Sequence, residues 1–331
     1  MLIPGLRRTG TQLSTLSEAG GIRQALMSSS PPIALLGTGL LGSAIGQRLL
    51  QRGLGLRVWN RHPERLQPLV ALGAEACATA AEAVQPCRWV IAVLADGPAC
   101  REVLLSAENL RWQGQRVVQM GTIAPETSRE LAVALQRQGA AYLEAPVLGS
   151  RPEALTGTLQ IMVAGDEQLF QEALPLLLAL GPNPEWFGAI GSALDTKLAL
   201  NQLIASLTHA FSLSLQLVQA AGVNVEQFMA VLRGSALHAP TFEKKLPRLL
   251  ADDYRHPNFP TAHLRKDLLL FLASARQHGL DTMGLRCLAD LLERARDTPL
   301  DQLDYSALHR LTGPVPPPAD PAPPAAAPRS G

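Results

Sequence analysis

Between Ile33 and about Gly188, short apolar runs alternate with segments of helical period. IALLG (33–37), LRVWN (56–60), WVIAVL (89–94), RVVQMG (116–121), AYLEAPV (141–147) and TLQIMVAG (158–165) read as strands. Stretches near 42–52, 63–72, 98–105 and 126–138 carry helical spacing. Strand–helix alternation of this kind predicts parallel βαβ units, because a parallel neighbour is reached only through a crossover. From about Ser192 the strand patterns stop. Helical patterns follow at 192–221, 225–233 and 261–278, with shorter ones to 310. The expected plan is a doubly wound α/β sheet over 33–190 and an all-α domain over 191–312. The flanks differ from both. Residues 1–32 show no hydrophobic period and read as a flexible extension. Arg7, Arg8 and Arg23 resemble an organelle presequence faintly, Glu18 counts against it, and Met27 is an alternative start. Residues 313–331, with the run PVPPPADPAPPAAAPRSG, are expected to be disordered or polyproline-like.

Composition narrows the function. The chain has 331 residues, enough for two ordinary domains, and 47% are apolar, enough for a core. Net charge is +1 and no basic stripe appears, so no nucleic-acid partner is expected. No apolar run reaches the length of a membrane span, and no membrane partner is expected either. The four cysteines, at 77, 87, 100 and 287, form no CxxC pair and have no zinc spacing. They are expected to be reduced thiols in a cytoplasmic protein. The seven histidines form no HxxxH or HExxH, so no metal site is expected.

The first strand opens a helix through Gly37-Thr38-Gly39-Leu40-Leu41-Gly42, a GxGxxG in the context that motif requires. Gly37 permits the tight turn, Gly39 lets backbone approach a pyrophosphate, and Gly42 lets helix and strand pack closely. The helix N-terminus then offers free N–H groups to phosphates. The sheet is therefore expected to be a Rossmann-type dinucleotide-binding domain. At the end of the second strand, where NAD sites usually place a carboxylate, stand Asn60, Arg61 and His62, with Arg65 one turn on. Arginine can stack on adenine and pair with a 2′-phosphate, so NADPH is favoured over NADH. Leu94-Ala95 and Thr122 follow later strands and are expected to border the cofactor, with Thr122 nearest the nicotinamide ribose or ring.

Lys197 and Asn201 sit four residues apart inside an apolar helix, so they project from one face. A buried lysine with a lowered pKa could protonate a carbonyl oxygen while hydride arrives at carbon. The alternative is a snorkelling lysine with its head in water.

Together, GTGLLGSAIGQRLL, VWNRHPERL, MGTIAPET, EAPVLGSRPEALTGTLQIMVAGD, GAIGSALDTKLALNQL and HLRKDLLLF resemble the β-hydroxyacid dehydrogenase family of the 6-phosphogluconate dehydrogenase-like superfamily. The similarity runs from about Ile33 to Arg296. It implies that Lys197 is the catalytic acid/base, that Asn201 is its partner, and that Lys266 lies close to the nicotinamide. It also implies a homodimer or homotetramer packed through the helical domain. The chain looks more like the glyoxylate/succinic semialdehyde reductases than the 3-hydroxyisobutyrate dehydrogenases. One departure matters: where the family reads PVSG, this chain reads Pro146-Val147-Leu148-Gly149. Leu148, Gly149 and Ser150 are the implied substrate-binding residues, with backbone N–H groups and Ser150 left to replace the lost hydroxyl. A lost hydrogen bond to a charged group costs about 1.5–3 kcal/mol. The expected function is an NADPH-dependent reductase of a small aldehyde or 2-keto acid. The alternatives are a non-catalytic NADP(H)-binding protein, or a dehydrogenase or imine-reductase-like enzyme with a more apolar substrate. Lys197 argues against the imine reductases, which generally lack that lysine.

Overall fold

The computed structural model describes residues 31–313. The expectations for the two tails lie almost entirely outside the described residues. Nine strands form the sheet: β1 (Ile33–Leu36), β2 (Leu56–Trp59), β3 (Glu75–Ala76), β4 (Trp89–Ala92), β5 (Arg116–Gln119), β6 (Ala141–Glu144), β7 (Val147–Leu148), β8 (Gln160–Gly165) and β9 (Glu185–Trp186). Their order is β3-β2-β1-β4-β5-β6-β8-β7, with β9 beside β8. The first six strands in that order run parallel. β8 is antiparallel to β6 and β7, and β9 is parallel to β8. In register, Leu35 lies between Val58 and Ile91. All four residues of β1 are buried. Ile33 and Leu35 feed one apolar layer with Val58 and Val118, while Ala34 and Leu36 feed the other with Val90 and Val117. Burial on both faces is why this strand reads as a continuous apolar run rather than an alternating one. Because β1 lies between β2 and β4, the crossover direction reverses there, which opens the crevice used by ligands of doubly wound sheets.

The helices are α1 (Leu40–Gln51), α2 (Gln67–Val70), α3 (Ala80–Val84), α4 (Gly97–Leu105), α5 (Pro125–Arg137), α6 (Arg151–Thr156), α7 (Glu167–Leu178), α8 (Ser192–Ala220), α9 (Val225–Arg233), α10 (Pro240–Ala251), α11 (Thr261–Gln277), α12 (Met283–Glu293) and α13 (Leu308–Leu311). Several differ from the sequence reading. The helix expected over 63–72 is a 3₁₀ turn, Pro63–Leu66, followed by the single turn α2. The strand expected over 141–147 is split into β6 and β7 around Pro146, which has no N–H for a ladder. α8 matches the helix expected over 192–221. By length and composition, with a mean hydropathy of 1.3, it could cross a membrane, although it carries Asp195, Lys197 and Asn201.

The described residues form two compact units, 31–202 with 266–282, and 203–265 with 283–313. The change of patterning lies near 190, but the start of α8 and most of α11 belong to the α/β unit. The helical unit has its own core of Phe211, Leu215, Met229, Phe242, Leu246 and Tyr254. Within it, buried Lys245 donates to Asp304 at 2.7 Å and lies over the Tyr305 ring.

Candidate active site

The chain turns from β1 into α1 within three residues. Gly37 adopts φ +95°, and a Cβ there would sit 2.3 Å from the Val93 carbonyl oxygen. A Cβ on Gly42 would lie 2.1 Å from the Gly37 oxygen. Gly39 is the opposite case: nothing lies within 4 Å of the position of its Cβ, and it caps α1 with no side-chain hydrogen bond. The first N–H groups of α1 therefore keep an open approach, and the cradle fits a pyrophosphate. Leu94 borders the same place. Its carbonyl oxygen is 2.5 Å from a Cβ built on Gly121, and its Cδ2 is 3.3 Å from one on Gly37. The ends of β1, β4 and β5 thus converge, with Ala95 exposed beside them.

Thr38 and Asn60 are buried and hold each other. Asn60 Nδ2 donates to Thr38 Oγ1 at 2.9 Å, and Thr38 Oγ1 donates to the Arg65 carbonyl at 3.2 Å. Asn60 Oδ1 accepts the His62 N–H at 2.9 Å. These hydrogen bonds shape the loop. Arg61 and Arg65 are exposed.

Lys197 is 7% exposed in the second turn of α8. Burial pulls its ammonium down from the usual lysine range to about 8; Asp267 opposes this shift and Lys266 adds to it. Asn201, also buried, donates Nδ2 to Asp267 Oδ2 at 2.6 Å. Among the described residues Asn201 Oδ1 is buried without a hydrogen-bond partner. Lys266 Nζ lies 2.8 Å from Asp267 Oδ1 and donates to the Thr122 carbonyl at 2.5 Å. Thr122 therefore meets the network through its backbone. The network joins α8, α11 and the end of β5.

The start of α8 is held by Glu144, at the end of β6. Its Oε1 accepts the N–H groups of Gly191, Ala193 and Leu194 at 2.8, 3.1 and 3.2 Å. Its Oε2 accepts the Ser128 hydroxyl at 2.6 Å. Burial raises the Glu144 pKa, and the hydrogen bonds from Ser128 and the three amides work against that rise. A carboxylate on a helix N-terminus also satisfies donors that would otherwise be orphaned.

The loop after β7 departs from expectation. Leu148, Phe187 and Leu200 pack against the buried cluster of Met162, Ala164 and Ala193. Gly149 takes φ +124°. Ser150 starts α6, and both its N–H and its hydroxyl donate to Glu153 Oε2, at 2.7 and 2.9 Å. The two Ser150 donors expected to receive a substrate are therefore engaged within the loop.

The structure thus brings together Lys197, Asn201, Lys266 and Thr122 in one network, and Gly37, Gly39, Gly42 and Leu94 in one crest. Leu40 and Leu41 continue the crest into α1. Asp267, Glu144 and Glu153 were missed as site-forming groups. Each left a trace in the sequence: an acid inside an apolar helix (KDLLLF), an acid inside a strand (AYLEAPV), and an acid three residues after a serine (SRPE). The single oxygens and sulfur of Glu75, Cys77 and Glu82 come within 4.8 Å of one another. Arg57 pairs with both of those carboxylates, and burial pushes the thiol up, so the group reads as an ion-pair cluster.

A glycine crest open to a pyrophosphate, with a buried lysine–asparagine pair in the same unit, defines a nicotinamide-dependent oxidoreductase. Comparison with known proteins gives the family. Residues 32–190 match the NAD binding domain of 6-phosphogluconate dehydrogenase. Residues 191–312 match the NAD-binding domain of NADP-dependent 3-hydroxyisobutyrate dehydrogenase. The chain is 32% identical to glyoxylate/succinic semialdehyde reductase 1 of Arabidopsis thaliana, over 83% of this chain and 96% of that protein. It is 29% identical to the chloroplastic reductase 2 of the same plant, over 83% and 78%. Among solved structures, 3-hydroxyisobutyrate dehydrogenase of Mycobacterium tuberculosis, determined with L-serine, superposes with a TM-score of 0.77 at 25% identity, covering 85% and 98%. The chain belongs to the β-hydroxyacid dehydrogenase family and is an NAD(P)-dependent oxidoreductase.

Glu144→Ala strips the acceptor from three amides and a hydroxyl in a buried place. The expected loss is roughly 3 kcal/mol or more, read as a lower denaturation midpoint. Glu144→Gln, which keeps an acceptor, should restore most of it.

Proposed function

We propose that the protein is an NADPH-dependent reductase of a small aldehyde or 2-keto acid, with Lys197 as the general acid. The observation that carries this reading is the buried ammonium of Lys197, drawn down to about 8 and facing the same network as Asn201, Lys266 and Thr122. Gly37, Gly39 and Gly42 would seat the pyrophosphate, with Leu94, Ala95, Thr122 and Lys266 beside the nicotinamide end. The bound nicotinamide supplies the hydride. Lys197 Nζ gives its proton to the carbonyl oxygen as the carbon is reduced, so no free alkoxide accumulates. Asp267 fixes the Asn201 amide, and the unpartnered Oδ1 of Asn201 is left to accept from the new hydroxyl or from Lys197. The reductase activity named for the two plant relatives supports the carbonyl class.

NADPH is preferred in this reading because Arg61 and Arg65 are exposed at the end of β2, with neither side chain in an ion pair or hydrogen bond among the described residues. Homo-oligomerisation is supported by Leu203, Leu213 and Leu217 of α8, which are 50, 50 and 71% exposed in a row of helical spacing.

Lys197→Ala should lower kcat by roughly a hundredfold or more on the best carbonyl found, while NADPH titration stays near wild type. Full kcat in that variant would end the reading. The protonated lysine is the reactive form in reduction, so kcat/KM for reduction should fall as pH rises through about 8, and alcohol oxidation should rise through the same range. Replacing Arg61 and Arg65 together by alanine should raise KM for NADPH about tenfold and leave that for NADH little changed. Light scattering should give a dimer or tetramer, and Leu217→Lys should shift it toward the monomer.

A further inference from the structure

We infer that Ser274 and Asp195 are positioning residues for Lys197: their hydrogen bond locks α11 against α8 and so fixes how Asp267 and Lys266 stand toward the buried ammonium. The inference rests on the reading of Lys197 as the acid and concerns residues outside the reacting set.

Lys197 makes no hydrogen bond or ion pair of its own among the described residues. What acts on it is burial first, then the charges of Asp267 and Lys266, both on α11. Influence through space depends on distance, so the placement of α11 along α8 decides its size. Two side-chain hydrogen bonds tie these helices within the α/β unit. Asn201 Nδ2 donates to Asp267 Oδ2 at 2.6 Å, and the Ser274 hydroxyl donates to Asp195 Oδ1 at 2.6 Å. From Asp195 to Asn201 α8 rises about 9 Å, and from Asp267 to Ser274 α11 rises about 10 Å. The spacings match with the chain direction reversed, so the bonds form two rungs between antiparallel helix segments. Asp267 and Ser274 lie seven positions apart, which returns to nearly the same helix face. Lys197 falls between the rungs in sequence. One rung alone leaves α11 free to swing about Asn201; two do not. Ser274 is buried, so water does not compete for its bond. The other partner of Asp195 is the half-exposed Arg129, whose guanidinium is 3.9 Å from Oδ2. An ion pair so exposed contributes little. Glu144 holds the same turn of α8 through backbone amides. The charges of Asp195, Arg129 and Glu144 are not among those that shift Lys197, so Asp195 acts through its bond and not its charge.

The chain has four lysines, Lys197, Lys244, Lys245 and Lys266, so NMR of isotope-labelled lysine side chains follows Lys197 through a pH titration without turnover. Lys197→Arg identifies the signal by its loss. Breaking a rung lets water reach the ammonium, and burial is the strongest influence holding it down. Ser274→Ala and Asp195→Ala should therefore each raise the Lys197 pKa from about 8 by at least about half a pH unit. The fall of kcat/KM for reduction with rising pH should move up by the same interval. Asp195→Asn keeps the acceptor for Ser274 and should titrate close to the unaltered protein. The inference is overturned if both alanine variants titrate as the unaltered protein does, or if Asp195→Asn shifts Lys197 as far as Asp195→Ala. Should Ser274→Ala fail to fold, the two Asp195 variants decide between these outcomes. A carbonyl panel that leaves NADPH unoxidised sinks the reductase reading instead, while the titration still tests the rungs, so the two failures are distinguishable.

Discussion

Glu144 is fully buried at the end of β6, and its carboxylate holds the first turn of α8 to the sheet. Without that link the first turn of α8 would lose its hydrogen bonds to β6. One oxygen collects three amides and the other takes the Ser128 hydroxyl, itself 2.9 Å from the Tyr142 hydroxyl. Burial of a carboxylate is costly, and four hydrogen bonds offset much of the cost. A second clamp lies further along the same helix face, where the Ser274 hydroxyl donates to Asp195 at 2.6 Å and ties α8 to α11. Lys197 follows Asp195 by two residues, so both clamps hold the turn that leads into it.

The crest where the nucleotide binds obeys a different constraint, which is space. Gly37, Gly42 and Gly121 are each crowded by a backbone oxygen of a neighbouring strand end or turn, at 2.3, 2.1 and 2.5 Å from a notional Cβ. Only Gly39 is free of neighbours. Three glycines serve close packing of protein against protein, and one serves the approach of a ligand. The same division appears in the loop after β2, where Thr38 and Asn60 bind each other and leave the arginines outside.

Local pattern carried most of the α/β half. Apolar runs with helical stretches between them fix strand identity without any long-range information, and GxGxxG after β1 marks the cradle. What escaped was non-local or punctuated by proline. Pro146 divides an apolar run that reads as one strand, and Pro63 with Pro68 reduces an expected helix to two short turns. α7, with Pro175 inside it, was passed over although it packs Leu169, Phe170 and Leu177 into the core. In the site, Lys197 and Asn201 were legible because i, i+4 places them on one face. Asp267 was not, because its partner Asn201 lies 66 positions away, and neither was Glu144, 47 positions from Gly191. A buried acid declares that it has partners, but a single sequence does not say which.

The acidity of Lys197 follows from three groups whose signs do not agree. Burial alone would push the ammonium further down, since charge is disfavoured away from water. Asp267 holds it up and Lys266 pushes it down again. Asp267 cannot act fully on Lys197, because it also accepts from Asn201 and pairs with Lys266. A carboxylate shared in this way leaves the lysine protonated near neutrality yet willing to release its proton. Were Asp267 committed to Lys197 alone, the pair would be a stable ion pair and a poor acid. The Thr122 carbonyl completes the balance: by taking a hydrogen bond from Lys266 it anchors that second ammonium at the end of β5, close enough to lower the first.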